Sequence, residues 1–63
     1  GKDHPDVANA LSNLSLVFND RGKKTASIRF MKRAINIWEK KLPKAAPRLV
    51  NAKEILEFFR TQK

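Results

Sequence analysis

A chain of 63 residues with a formal net charge of +8 is long enough for one small domain whose hydrophobic core is marginal. The absence of cysteine excludes disulfide bonds and thiolate metal sites and is typical of a reducing compartment, so we expect a cytoplasmic protein. No apolar run approaches the roughly 20 residues of a membrane span. With a single histidine and no cysteine, the chain is predicted to hold no metal and to need no cofactor.

The first helical pattern covers about residues 5–20. Its apolar side chains recur at spacings of three and four, on one side of a 3.6-residue helix: Val7, Ala10, Leu11, Leu14, Val17 and Phe18. Pro5 suits the first position of a helix, where its missing N–H costs nothing. Gly22 follows the pattern and is predicted to end the helix in the left-handed conformation.

Two further helices are predicted after this glycine. The second runs over about 25–41, with Thr25 as its N-cap, and Pro43 prevents its continuation. The third runs over about 47–61 and starts at Pro47. The short connection at Gly22 makes the first two helices antiparallel, and the wide apolar face of the second predicts contacts with two neighbours. We therefore expect an all-α fold, an antiparallel helical hairpin plus a third helix.

The chain contains an internal repeat. Pro5 and Pro47 lie 42 residues apart, and the segments that follow them match in register. The matching pairs include Asn9 with Asn51, Ala10 with Ala52, Leu14 with Leu56 and Val17 with Phe59. The sequence is therefore one two-helix repeat followed by the first helix of the next.

Large and small residues alternate across this repeat in a recognisable order, at Leu11, Leu14, Ser15, Phe18, Gly22, Ser27, Met31 and Ala34. In these residues, and in the opening Asp3 to Ala8, the chain resembles a tetratricopeptide repeat of the longer kind found in kinesin light chains. The resemblance implies about one and a half repeats of an α-solenoid, from the C-terminal part of a longer array.

The side chains of the helix crossings lead to two expectations about packing. Small residues should let the helices approach closely at Ser15, Ser27 and Ala34, with larger ones filling the space between at Leu14, Phe18 and Met31. On the third helix, the residues that would face a further repeat are the charged Lys53, Glu57 and Arg60. A polar outer face is typical of the last helix of a solenoid, so the third helix is interpreted as a cap.

The resemblance also implies a function, the binding of a peptide or protein partner in the groove lined by the first and third helices. The expected contacts are Asn9, Ser12, Asn13, Leu16, Asn19, Asn51 and Phe58. Asn13 stands where the family often places an asparagine that holds the peptide backbone, since a side-chain amide both donates and accepts. The competing interpretation is that these asparagines are only solvated. Self-association through the uncovered face of the first helix is a further expectation.

The alternative function follows from the charge. Residues 21–44 carry nine Lys or Arg against one acidic residue, Glu39. The basic edge, which we define as Lys23, Lys24, Arg29, Lys32 and Arg33, is a candidate anion-binding surface for nucleic acid or anionic membranes. A charged helix face is more often only solvated, and the internal repeat has no place in a helix-turn-helix reader, so nucleic acid is the less favoured partner.

No catalytic constellation is apparent. The serines lack a neighbouring base, and only two glycines are present, too few for a phosphate-binding loop. Asp6 and Asp20 fall at opposite ends of one helix, about 20 Å apart at 1.5 Å per residue, too far to share a substrate. We therefore predict a protein that is not an enzyme and has no catalytic residues.

Overall fold

The computed structural model describes residues 4–62, which form three α-helices joined by two short turns. Helix α1 spans Pro5–Asp20, α2 spans Lys24–Lys41 and α3 spans Pro47–Thr61. This confirms the predicted all-α fold of a helical hairpin followed by a third helix. None of these helices is long and apolar enough to cross a membrane. Asp3, part of the opening that resembles the repeat family, lies outside the described residues.

Helix α1 begins at the predicted proline and is capped by the residue before it. His4 Nδ1 accepts a hydrogen bond of 3.0 Å from the backbone N–H of Asp6, one of the amides that a helix start leaves unpaired. The Asp6 side chain lies in the first turn, where negative charge interacts favourably with the helix dipole. Helix α3 also has proline, Pro47, in its first turn.

The turn between α1 and α2 is closed by a Schellman motif. Gly22 has a φ of +76°, the left-handed conformation that was predicted. Its N–H donates to Asn19 O at 3.0 Å, and the N–H of Lys23 donates to Phe18 O at 2.8 Å. Both carbonyls belong to the last turn of α1, so the motif satisfies groups that the helix end would otherwise leave unpaired.

The predicted N-cap of α2 is wrong. The cap residue is Lys23, which makes no side-chain capping bond, and Thr25 lies within the first turn of the helix. The physical reason is the turn itself. Because the Schellman motif ends with the N–H of Lys23, the chain enters α2 directly at Lys24, and Thr25 lies two residues past the cap position.

Helix α2 is the centre of the molecule, as its wide apolar face predicted. Both α1 and α3 pack mainly on it. The buried apolar side chains come from all three helices: Ala8, Leu11, Met31, Ala34, Ile35, Ile37, Trp38, Leu49, Ala52 and Phe59. A hydrogen bond from Lys24 Nζ to Gln62 O, at 2.7 Å, joins the start of α2 to the end of α3. Helices α1 and α3 are therefore both antiparallel to α2 and run in the same direction.

Small residues occupy the helix crossings as predicted. Ser15, Ser27 and Ala34 are completely buried. Each serine hydroxyl donates to a carbonyl of its own helix three residues back, Ser15 to Ser12 O at 2.6 Å and Ser27 to Lys24 O at 2.7 Å. Because the hydroxyls are satisfied locally, the two serines pack against the neighbouring helix as small spacers.

The larger residues follow the prediction only in part. Met31 is fully buried, and the half-buried Phe18 stacks on Phe30 with ring centroids 5.3 Å apart. Leu14, however, is 43% exposed and does not fill the space between the helices, so this prediction is wrong. The buried stripe of α1 consists of Ala8, Leu11 and Ser15. Leu14 lies beside this stripe, on the adjacent side of the helix.

The outer side of α3 is charged and open to solvent, as expected for a cap. Lys53, Glu57 and Arg60 are all exposed. Lys53 Nζ lies 3.1 Å from Glu39 Oε2 on α2, an exposed ion pair that ties the edges of the two helices together. Pairs of this kind contribute little to stability, about 0–1 kcal/mol, so apolar packing against α2 holds α3 in place.

Candidate functional site

A groove runs between α1 and α3 at the end where both helices begin. Its main part has a volume of about 490 Å³ and is lined by Ser12, Trp38, Pro47, Arg48, Asn51, Ala52 and Ile55. A concavity of about 280 Å³ adjoins it and is lined by Asn9, Ser12, Asn13, Trp38 and Arg48. Because the two share three lining residues, we treat them as one groove.

Among residues 4–62, Arg48 in the first turn of α3 is the only charged residue that lines the groove. Its guanidinium lies over the Trp38 ring, 5.5 Å from the ring centroid, and Nη1 donates to Asn9 Oδ1 on α1. No carboxylate of residues 4–62 forms an ion pair with it. The two contacts hold the guanidinium in position and leave most of its five N–H donors for a ligand.

The walls of the groove carry uncharged polar groups. Asn13 on α1 and Asn51 on α3 are exposed, and Ser12, also on α1, is half-buried. Each amide can donate and accept at once, which suits the backbone of an extended peptide. The floor is apolar, with Trp38 and Ala52 both buried. A concave apolar floor with a few polar groups around it is the usual composition of a binding site.

The remaining predicted contacts lie further along the two helices. Leu16 is 42% exposed and follows Ser12 by four residues, and Phe58 is 58% exposed and follows Ile55 by three. These spacings keep each on the groove side of its helix, so they extend the groove with apolar surface. Asn19 lies apart, in a depression at the far end that Gly22, Lys24 and Gln62 also line.

The residues that sequence reasoning missed are Arg48 and Trp38. Trp38 is buried in the core, and its ring also forms the floor of the groove. Arg48 precedes Asn51 by three residues, and this helical spacing alone would have placed it on the same face. Its contact with Asn9 joins residues 39 positions apart and had no signal in the sequence.

The residues of the basic edge do not converge on one point. Lys23 is exposed at the start of α2, and Lys24 is engaged with the carbonyl of Gln62. The other three are exposed along α2 and divide between two shallow depressions. Lys32 and Arg33 line one with Glu39, and Arg29 and Arg33 line the other with Phe30. The basic edge is therefore a strip of positive charge, without a pocket that encloses an anion.

The acidic residues are likewise dispersed. Residues 4–62 contain no group of three or more His, Cys, Asp or Glu side chains that could hold a metal ion. Asp6 and Asp20 are exposed at opposite ends of α1. None of the acidic residues in the described part of the chain lines the groove. Its chemistry is therefore that of hydrogen bonding, apolar contact and one positive charge.

Comparison with known proteins gives no relative for this chain. No family model matches it, and no curated protein and no solved structure is significantly similar to it. The fold class rests on the three helices and their packing alone.

Proposed function

We propose that this chain is a non-catalytic protein–protein interaction module of the tetratricopeptide type, which binds an extended peptide in the groove between α1 and α3. The observation that carries this proposal is the composition of the groove. Two helices that run in the same direction provide amide side chains, Asn13 and Asn51, over an apolar floor. Arg48 adds a charged group that is held in place and has no acidic partner within residues 4–62.

In this proposal each part of the groove has a separate task. The amides pair with the peptide backbone and do not depend on its sequence. Arg48 donates to a carbonyl or carboxylate oxygen of the peptide, because its remaining N–H groups are unused. The exposed Leu16 and Phe58 contact apolar side chains of the peptide further along the groove.

The proposal is tested by capture from a cell lysate on the immobilised chain, with and without nuclease, read by mass spectrometry. The experiment compares the unchanged chain with Asn13→Ala in the groove and Asn36→Ala on the exposed side of α2 as the matched control. We expect a defined set of proteins that survives nuclease, is lost with Asn13→Ala and is retained with Asn36→Ala. Equal capture by both variants would contradict groove binding.

A second candidate function is the binding of nucleic acid or an anionic surface by the basic edge. The observation in its favour is that Arg29, Lys32 and Arg33 are all exposed on α2. Binding of this kind releases counterions, so the affinity for heparin or duplex DNA should fall steeply with salt. Capture that disappears with nuclease or modest salt, and with Arg29→Gln and Arg33→Gln, would favour this function over the groove.

A further inference from the structure

The turn between α1 and α2 is the most accessible stretch of the molecule. Every residue from Asp20 to Thr25 is exposed, the longest such run within residues 4–62. Between positions 20 and 29 a single acidic residue, Asp20, stands against four cations: Arg21, Lys23, Lys24 and Arg29. None of these cations lines the groove between α1 and α3. The turn is therefore a patch of positive charge that an enzyme can reach.

Thr25 lies in the middle of this charge with its hydroxyl free. Its side chain is exposed and forms no hydrogen bond with another of the residues 4–62. The Thr61 hydroxyl is also exposed but donates to the carbonyl of Glu57 at 3.0 Å. Each of the three serines is buried or half-buried. Among the hydroxyl groups that the structure describes, that of Thr25 is thus the most available for modification.

Arg29 is placed to bind a phosphate on Thr25. It follows Thr25 by four residues on α2, so the two side chains are neighbours on one side of the helix. The guanidinium of Arg29 is exposed and has no carboxylate partner within residues 4–62, whereas Lys24 is engaged with the carbonyl of Gln62. Arginine binds phosphate oxygens through two parallel N–H···O bonds, which suits this position.

We propose that Thr25 is a phosphorylation site for a protein kinase that selects basic substrates, and that Arg29 binds the resulting phosphate. Kinases recognise substrates by patterns of charge, and cations before the hydroxyl fit an acidic substrate cleft. In the transfer, the hydroxyl oxygen of Thr25 forms a bond to the γ-phosphorus of ATP. The bond from that phosphorus to the β,γ-bridging oxygen breaks, ADP leaves, and the hydroxyl proton passes to a base of the kinase.

The phosphate would act on the basic edge and not on the groove. Lys23, Lys24 and Arg29 are three of the five basic-edge residues, and a phosphothreonine brings a charge of about −1.5 to −2 among them at pH 7. Most of the positive charge at the start of α2 is then neutralised. Phosphorylation should therefore weaken anion binding by the basic edge. This consequence rests on the second candidate function, but the modification itself does not.

The first experiment tests whether Thr25 is modified. The full chain is incubated with ATP and either protein kinase C, which takes basic substrates, or casein kinase, which takes acidic ones, and mass spectrometry locates the phosphate. We expect protein kinase C to modify Thr25, and no such product with Thr25→Val. Lys23→Gln should slow the reaction about two- to fivefold, the range for one exposed charge pair. Lys44→Gln removes the same charge from the exposed loop after α2 and should leave the rate unchanged.

The second experiment tests what holds the phosphate. The 63-residue chain is synthesised chemically with phosphothreonine at position 25 or, as the matched control of equal charge, at position 61, the last residue of α3. We expect the phosphate at position 25 to raise the melting temperature by about 4 °C. The gain should disappear with Arg29→Gln and persist with Arg33→Gln, one turn further along α2. On a heparin column, the chain modified at position 25 should elute at lower salt than the chain modified at position 61.

Four results would overturn the proposal. They are no phosphate transferred by protein kinase C, phosphate on a serine or on Thr61 in preference to Thr25, equal rates for Lys23→Gln and Lys44→Gln, or a melting temperature that the phosphate at position 25 does not raise. Equal elution of the two phosphorylated chains from heparin would contradict the effect on the basic edge alone. Circular dichroism checks that each variant keeps its helices.

Discussion

Close approach of the helices depends on three buried small residues, and Ala34 is the one with no polar group. Ala34→Leu introduces three extra carbon atoms into a fully packed crossing, so we expect a loss of about 1–3 kcal/mol in the free energy of unfolding. The measurement is thermal or urea denaturation followed by circular dichroism. Ala10→Leu, at an exposed position of α1, is the control and should change stability by less than about 0.5 kcal/mol. An unchanged melting temperature for Ala34→Leu would contradict the packing described here.

Ser27 fits at its buried position because its side chain is small, and its hydroxyl is not needed there. Since that hydroxyl bonds only to Lys24 O of the same helix, Ser27→Ala removes donor and bond together and leaves no partner unsatisfied elsewhere. Alanine is also the better helix former. We expect the free energy of unfolding to stay within about 0.5 kcal/mol of the original value. A loss of more than about 1 kcal/mol would mean that the hydroxyl stabilises the contact between helices.

Gly22 allows the turn between α1 and α2 because its φ is +76°. A Cβ atom at this position would meet no other atom within 4 Å, so the cost of Gly22→Ala comes from the backbone conformation alone. We expect a loss of about 1–2 kcal/mol in the free energy of unfolding. Gly22→Asn should cost less, because asparagine tolerates the left-handed conformation. Urea denaturation of the two variants gives this comparison, and equal costs would rule out the backbone as the cause.

At the scale of the helices, the Arg48–Asn9 contact joins α1 to α3, which otherwise pack mainly on α2. Both side chains are accessible to solvent, so we expect a coupling energy of only about 0.5–1 kcal/mol in a double-mutant cycle of Asn9→Ala and Arg48→Ala. The emission of Trp38, the only tryptophan, should also change with Arg48→Ala, because the guanidinium lies over its ring. Additive effects of the two substitutions would show that the contact does not couple the helices.

The bounds of the helices were readable from the sequence because strong local signals mark them. Pro5 and Pro47 each stand in the first turn of a helix, and Gly22 closes a turn that only a left-handed residue completes. The start of α2 was less accessible. Its cap depends on hydrogen bonds of the preceding helix, and Thr25 was therefore misassigned.

The limits of sequence reasoning are clearest in the packing of α1. Its apolar residues cover a wide arc, and their period does not tell which half of the arc meets α2. Leu11 is buried, whereas Leu14 belongs to the uncovered half. In the groove, the asparagines were predicted from the family resemblance, but the position of Arg48 over Trp38 depends on how α3 docks. Contacts between distant segments leave no local pattern to detect.

At the scale of the molecule, three helices separate three surfaces with different chemistry. The groove between α1 and α3 is polar at its walls and contains one arginine. On another side of α1 the apolar Leu14 and Val17 are exposed, and the basic edge of α2 is charged and exposed. This separation follows from the central position of α2, whose two buried sides are used by α1 and α3.

If a peptide binds in the groove, amide chemical-shift mapping shows it most directly. The probe is a peptide selected from a random library on the immobilised chain and titrated into the labelled 63-residue protein. We predict that the largest shifts occur at Ser12, Asn13 and Asn51 and at the indole N–H of Trp38, and that they vanish with Arg48→Ala. Shifts concentrated on Arg29, Lys32 and Arg33, with the groove unchanged, would contradict groove binding and assign binding to the basic edge.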